Sequence, residues 1–154
     1  MFLKNTRRPL IDIIAWCIMP NHYHLLVRQI VENGISKFIQ KQANSFTKYF
    51  NKKHDRSGHL FEGAYKVKLV EDETYFTHLS RYIHLNHLEL HEPEWKEKGV
   101  GDLERVKRFL VEYPWSSFRD YIGEKPSIFL PVINRQPIIE VFDGDINKYK
   151  DFVC

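Results

Sequence analysis

Two histidines, His22 and His24, stand in the run Met19-Pro20-Asn21-His22-Tyr23-His24-Leu25-Leu26-Val27. Met-Pro-Asn is turn chemistry, because Pro fixes φ and Asn tolerates tight geometry. The residues after it read as a strand, where alternate side chains share a face. His22 and His24 then lie on one side and Tyr23 on the other. Two imidazoles so placed can hold one cation between them.

A third ligand and a nucleophile are offered downstream. Tyr82 and Asn86 are four residues apart in a segment of helical character, which predicts that both project from one helical face. An amide oxygen is a hard ligand that suits Mg²⁺ or Mn²⁺. With Asn86 joined to His22 and His24, the Tyr82 phenol comes within reach of a substrate on that metal. Tyrosine is a weak nucleophile without activation, and a divalent cation that polarises a phosphate helps it. Each residue also has a plainer reading: the histidines as core hydrogen-bonding groups, Tyr82 as packing, Asn86 as a helix C-cap.

The elements that position these groups follow from periodicity. Ile11 to Ile18 alternates, with Ile11, Ile13, Ala15 and Cys17 on one side, and forms a hairpin with His22 to Arg28. Asn33-Gly34 closes the pair. Ser36 is a candidate N-cap for a helix to about Asn51, with Phe38, Ile39, Ala43, Phe46 and Phe50 as its apolar stripe. Leu60 to Val70 predicts a strand with Gly63 as a bulge. Asp72 caps the helix carrying Tyr82. Residues 91 to 101 read as an exposed connection, residues 102 to 111 as a helix, and Ser116 or Ser117 as a cap. Short helices are expected at 136–142 and 147–152.

The chain of 154 residues carries a net charge of +3, with 43% hydrophobic and 28% charged residues. These values fit a single globular domain, 1–154, read as a core over 11–90 and a helical extension over 91–154. No apolar run is long enough to span a membrane. Lys4, Arg7 and Arg8 precede an apolar segment, but Asp12 interrupts it and no small-residue cleavage site follows. Cys17 and Cys154 suggest neither a disulfide framework nor a zinc pattern, and a cytoplasmic setting fits best. Basic residues cluster at Lys41, Lys48, Lys52, Lys53, Arg56 and Lys66, interleaved with Phe46, Tyr49, Phe50, Phe61 and Tyr65. Such a mixture can meet phosphates and stack on unpaired bases, or be a solvated face beside core aromatics.

Four blocks occur in order: Met19 to Val27, Gly58-His59-Leu60-Phe61-Glu62-Gly63, Arg81-Tyr82-Ile83-His84-Leu85-Asn86, and Tyr113-Pro114-Trp115-Ser116-Ser117. Together they resemble REP-associated, single-tyrosine HUH transposases, relatives of the IS200-type insertion-sequence transposases. The resemblance implies His22, His24 and Asn86 as ligands of Mg²⁺ or Mn²⁺ and Tyr82 as nucleophile. It implies cleavage and rejoining of single-stranded DNA beside a hairpin, through a 5′-phosphotyrosine and a free 3′-hydroxyl, without a nucleotide cofactor. The fold implied is α+β, an antiparallel sheet with packed helices of ferredoxin-like HUH type and the histidine strand near its centre.

Three departures from that pattern stand out. The family's usual first strand and helix are expected to be lacking, which leaves an unpaired edge open to another chain, a homodimer included. His87 follows Asn86 where the family often has Pro. Glu62-Gly63-Ala64 replaces a glutamine and an arginine, which removes one phosphate contact. Two other readings therefore accompany the transposase: a truncated, inactive DNA-hairpin-binding protein, and a metal-dependent phosphodiesterase with water as nucleophile. The expected setting is cytoplasmic and nucleoid-associated.

Overall fold

The computed structural model describes residues 8–123 and 125–154; Lys4 and Arg7 lie outside them. The fold is α+β: an antiparallel hairpin of β1 (Ile11–Ile18) and β2 (Tyr23–Gln29), followed by helices. The helices of four residues or more are α1 (Gly34–Lys53), α2 (Glu73–Leu85), α3 (Trp95–Lys98), α4 (Leu103–Glu112), α5 (Phe118–Ile122), α6 (Gln136–Val141) and α7 (Ile146–Val153), with a 3₁₀ turn at Asn86–Leu90. The described residues fall into two compact units. One holds the chain up to Asp12 with Arg28–Leu69, the other Ile13–Val27 with Val70–Cys154.

In the first unit Asn33 takes a left-handed φ of 57° and starts α1 with no side-chain cap, three residues ahead of the expected Ser36. Gly34 follows because the chain turns hard against Leu10: a Cβ there would sit 2.2 Å from the Leu10 carbonyl oxygen. Leu60 to Val70 is not a strand. The backbone pairs with no strand among the described residues, and Tyr65, Val67 and Leu69 are exposed. A period-two pattern specifies a strand only where a partner completes the ladder.

The second unit contains the larger core. Ile14, Ala15, Cys17, Met19 and Leu26 of the hairpin cluster with Ile83, Leu85, Leu88, Val106, Leu110, Phe118, Tyr121, Ile138, Tyr149 and Val153. β1 departs from simple alternation, since Ile14 through Cys17 are all buried. Both of its faces are covered: Cys17 Sγ lies 3.7 Å from His87 Nδ1, while Trp16 packs edge-on against Phe129 at 5.4 Å. Among the described residues its other edge is met without a third strand. Ile18 N–H donates to the Trp115 carbonyl, Ser117 N–H to the Trp16 carbonyl and Asn134 N–H to the Ile13 carbonyl. β2 has only β1 as a strand neighbour among the described residues, so the histidine strand stands at the sheet's edge rather than near its centre.

α2 begins as its sequence requires, with Asp72 Oδ1 accepting from Tyr75 N–H at 2.7 Å. Phe76, Leu79 and Ile83, three and four residues apart, form its apolar stripe against the core. The helix ends at Leu85 and tightens into the 3₁₀ turn at Asn86. α4 is capped by Asp102, which accepts from Arg105 N–H, and α7 by Asp145. The connection at 91–101 is not wholly irregular, since it contains α3. Among the described residues no helix is long and apolar enough to cross a membrane.

Candidate functional site

Three predicted site residues meet within the second unit. The His22 and His24 rings lie edge to face with centroids 5.0 Å apart, and the Tyr82 ring stands 5.7 Å from that of His24. The turn and strand set the histidines, and α2 brings the tyrosine. His22 is exposed, His24 half-buried and Tyr82 43% exposed, so the cluster opens to solvent.

Protonation favours ligation. Partial burial lowers the pKa of His24 below its ordinary value, and the neighbouring His22 and Lys96 lower it further against an opposing pull from Glu89. A neutral imidazole is the form that binds metal. His22 Nδ1 lies 2.7 Å from Asn21 Oδ1. An amide oxygen only accepts, so Nδ1 is the donor in this contact and Nε2 is the nitrogen left to face a metal.

Asn86 sits differently from Tyr82. It is 2% exposed, at the C-cap of α2 where the 3₁₀ turn begins, whereas Tyr82 is 43% exposed. Its Nδ2 is buried without a hydrogen-bond partner. A buried amide end left unmatched is unusual, and a half-turn of the side chain exchanges its nitrogen for its oxygen. Two imidazoles and one amide oxygen are, by their chemistry, donors that suit a divalent cation. No group of three His, Cys, Asp or Glu side chains gathers to hold a metal among the described residues.

The predicted DNA-binding residues Lys41, Lys48, Lys52, Lys53, Arg56 and Lys66 belong to the first unit, and all are exposed. Lys41, Lys48 and Lys52 are seven and four apart, hence on one face of α1. Lys53 lies over the Tyr49 ring at 5.7 Å and Arg56 over Phe50 at 5.6 Å. Phe46 and Tyr49 are exposed. An open cleft of about 690 Å³ runs between Ala43, Asn44 and Thr47 of α1 and the segment His59 to Gly63.

Four residues with no predicted role belong to the site's surroundings. His84, between Tyr82 and Asn86 in sequence, is fully buried, with Nδ1 2.6 Å from Tyr149 Oη and Nε2 2.8 Å from Ser117 Oγ. The Arg81 to Asn86 and Tyr113 to Ser117 blocks contain His84 and Ser117, but nothing in their spacing joins them. Glu89 and Lys96 form an ion pair beside Tyr82. Lys96 falls in the polar connection, where sequence offers no signal for a site.

A family model described as "Transposase IS200 like" matches residues 2–86, which include both histidines, the tyrosine and the asparagine. No curated protein and no solved structure matches the chain.

Proposed function

We propose that this chain, which belongs to the IS200-like transposase family, cleaves and rejoins single-stranded DNA beside a hairpin, with Tyr82 as its covalent nucleophile. A transposase-type function follows from the family; the tyrosine, the metal and the hairpin are our reading. The observation that carries it is the gathering of His22, His24 and Tyr82 at one solvent-open point. REP-associated membership is part of the same proposal, as is action in the cytoplasm on the nucleoid.

The chemistry follows from these side chains. Tyr82 Oη attacks the phosphorus of one phosphodiester, and its proton passes to solvent. The Oη–P bond forms as the P–O3′ bond breaks, and the departing 3′ oxygen takes up one proton. The downstream strand stays on Tyr82 through its 5′ phosphate. The free 3′-hydroxyl of another end can reverse the step, so no nucleotide cofactor is required. His22, His24 and Asn86 would hold Mg²⁺ or Mn²⁺, which supplies charge neutralisation at the phosphate when bound. The lysine stripe of α1, with Arg56 and Lys66, would track the DNA backbone, and exposed Phe46 and Tyr49 offer faces to unpaired bases.

The polarity of the break tests this reading. With a single-stranded pool randomised beside a stable hairpin, a 3′ label should stay on the protein. A 5′ label should leave on a strand that a polymerase can extend. Two free DNA ends with no label on the protein would instead support water as nucleophile. Hairpin binding without a break would support the inactive binding protein.

A further inference from the structure

The Glu89–Lys96 pair stands beside the candidate nucleophile and has no part in the metal set. Lys96, on α3, places Nζ 5.3 Å from the Tyr82 ring centroid and 5.8 Å from that of Trp95. Glu89, in the 3₁₀ turn that follows α2, takes its charge. Both side chains remain well exposed, at 43% and 38%. Both charges also act on the His24 imidazole, in opposite directions. The ammonium therefore lies near the nucleophile and near one of the two histidines.

A phosphodiester under attack at Tyr82 brings negative charge into this space. Among the described residues Lys96 is a cation beside the Tyr82 ring, on a long stem with three donors. Its partner Glu89 is too exposed to hold it firmly, since exposed ion pairs stabilise a fold little and exchange readily. A phosphate offers Lys96 the same charge-assisted hydrogen bond that the carboxylate does. Glu89, left behind, repels the incoming strand.

We propose that Lys96 binds the phosphate attacked by Tyr82, leaving Glu89 as the strand enters, and that Glu89 limits how readily the site takes up DNA. This rests on reading Tyr82 as the nucleophile. Lys96 then acts on the substrate directly, and Glu89 acts through Lys96 as a positioning residue.

The test uses the full chain with Mn²⁺ and a labelled single-stranded pool randomised beside a stable hairpin. Lys96→Met should lower the single-turnover rate of adduct formation by roughly a hundredfold. Lys96→Arg should recover most of it, and Mn²⁺ binding should not change. Glu89→Gln should lower KM without lowering kcat. In a second readout, acetylation of Lys96 should be slowed by the DNA pool. Unchanged rates in Lys96→Met, or acetylation indifferent to DNA, would overturn the proposal. If the unmodified protein forms no adduct yet DNA still shields Lys96, the nucleophile reading fails while the phosphate contact stands. With neither adduct nor shielding, both fall.

Discussion

The imidazole of His84 lies 2.8 Å from Ser117 Oγ, and this contact ties the helix carrying Tyr82 to the hairpin carrying His22 and His24. Ser117 Oγ also accepts from Trp16 N–H at 2.9 Å, so it grips β1, the strand paired with β2. On the other side of the ring Tyr149 Oη meets Nδ1, and its own proton goes to Ser80 Oγ, which in turn donates to the Thr77 carbonyl. Tyr149 Oη must then accept from His84 Nδ1–H, leaving Nε2 to accept the Ser117 hydroxyl proton. Every group in this fully buried chain is matched, which makes it a rigid link.

Breaking that link should loosen the site as well as the fold. Ser117→Ala leaves His84 Nε2 unmatched in the core and should cost about 1–3 kcal/mol of stability. His84→Phe should cost a similar amount. The double variant should cost less than the sum, because the two share one interaction. Denaturant unfolding of the four proteins measures the coupling, and strict additivity would contradict it.

Acid should weaken the protein before its carboxylates titrate. Burial lowers the pKa of His84 from 6.5 to about 3 and that of His87 to about 4. The unfolded chain protonates both histidines as pH falls through 6.5, while the folded chain does so only near their lowered values. The unfolded state therefore binds more protons in between, and stability rises with pH across that window. The melting temperature should be level above about pH 7 and decline from there to about pH 5, where model carboxylates are still mostly ionised. Calorimetry checks this, and a melting temperature constant over that range would contradict it.

Asn86 should matter to metal binding more than to folding. Its amide already lacks one partner, so Asn86→Ala removes a poorly matched group. Manganese titration should show affinity at least about tenfold weaker, with an unfolding midpoint near that of the unmodified chain. Equal affinity would remove Asn86 from the ligand set.

Replacing Lys48, Lys52 and Lys53 together should weaken single-stranded DNA binding and flatten its salt dependence. Each lost phosphate contact lowers the log–log slope by about 0.7, so three lower it by about 2. Fluorescence anisotropy across a salt series reads the slope. An unaltered slope would show that α1 does not meet the backbone.

Local chemistry made much of this legible. Asp72 caps α2 as its side chain requires, the Met-Pro-Asn run closes the hairpin with Met19 N–H donating to the His22 carbonyl, and the His-Tyr-His alternation carries straight into the geometry. Failures came where distant segments decide the outcome. Leu60 to Val70 has a strand's pattern without a strand's partner. The 3₁₀ turn that starts at Asn86, and the burial of that residue, leave no mark in its spacing from Tyr82. His84 and Ser117 are 33 residues apart, and only the folded core makes them neighbours.

The central claim is that Tyr82 becomes joined to DNA. Incubate the protein and its Tyr82→Phe variant with Mn²⁺ and the labelled hairpin pool, then separate them on a denaturing gel. The account predicts a labelled protein band that resists denaturation, present with tyrosine at position 82 and absent with phenylalanine. Cleaved DNA in equal yield from both proteins, with no such band, would contradict it.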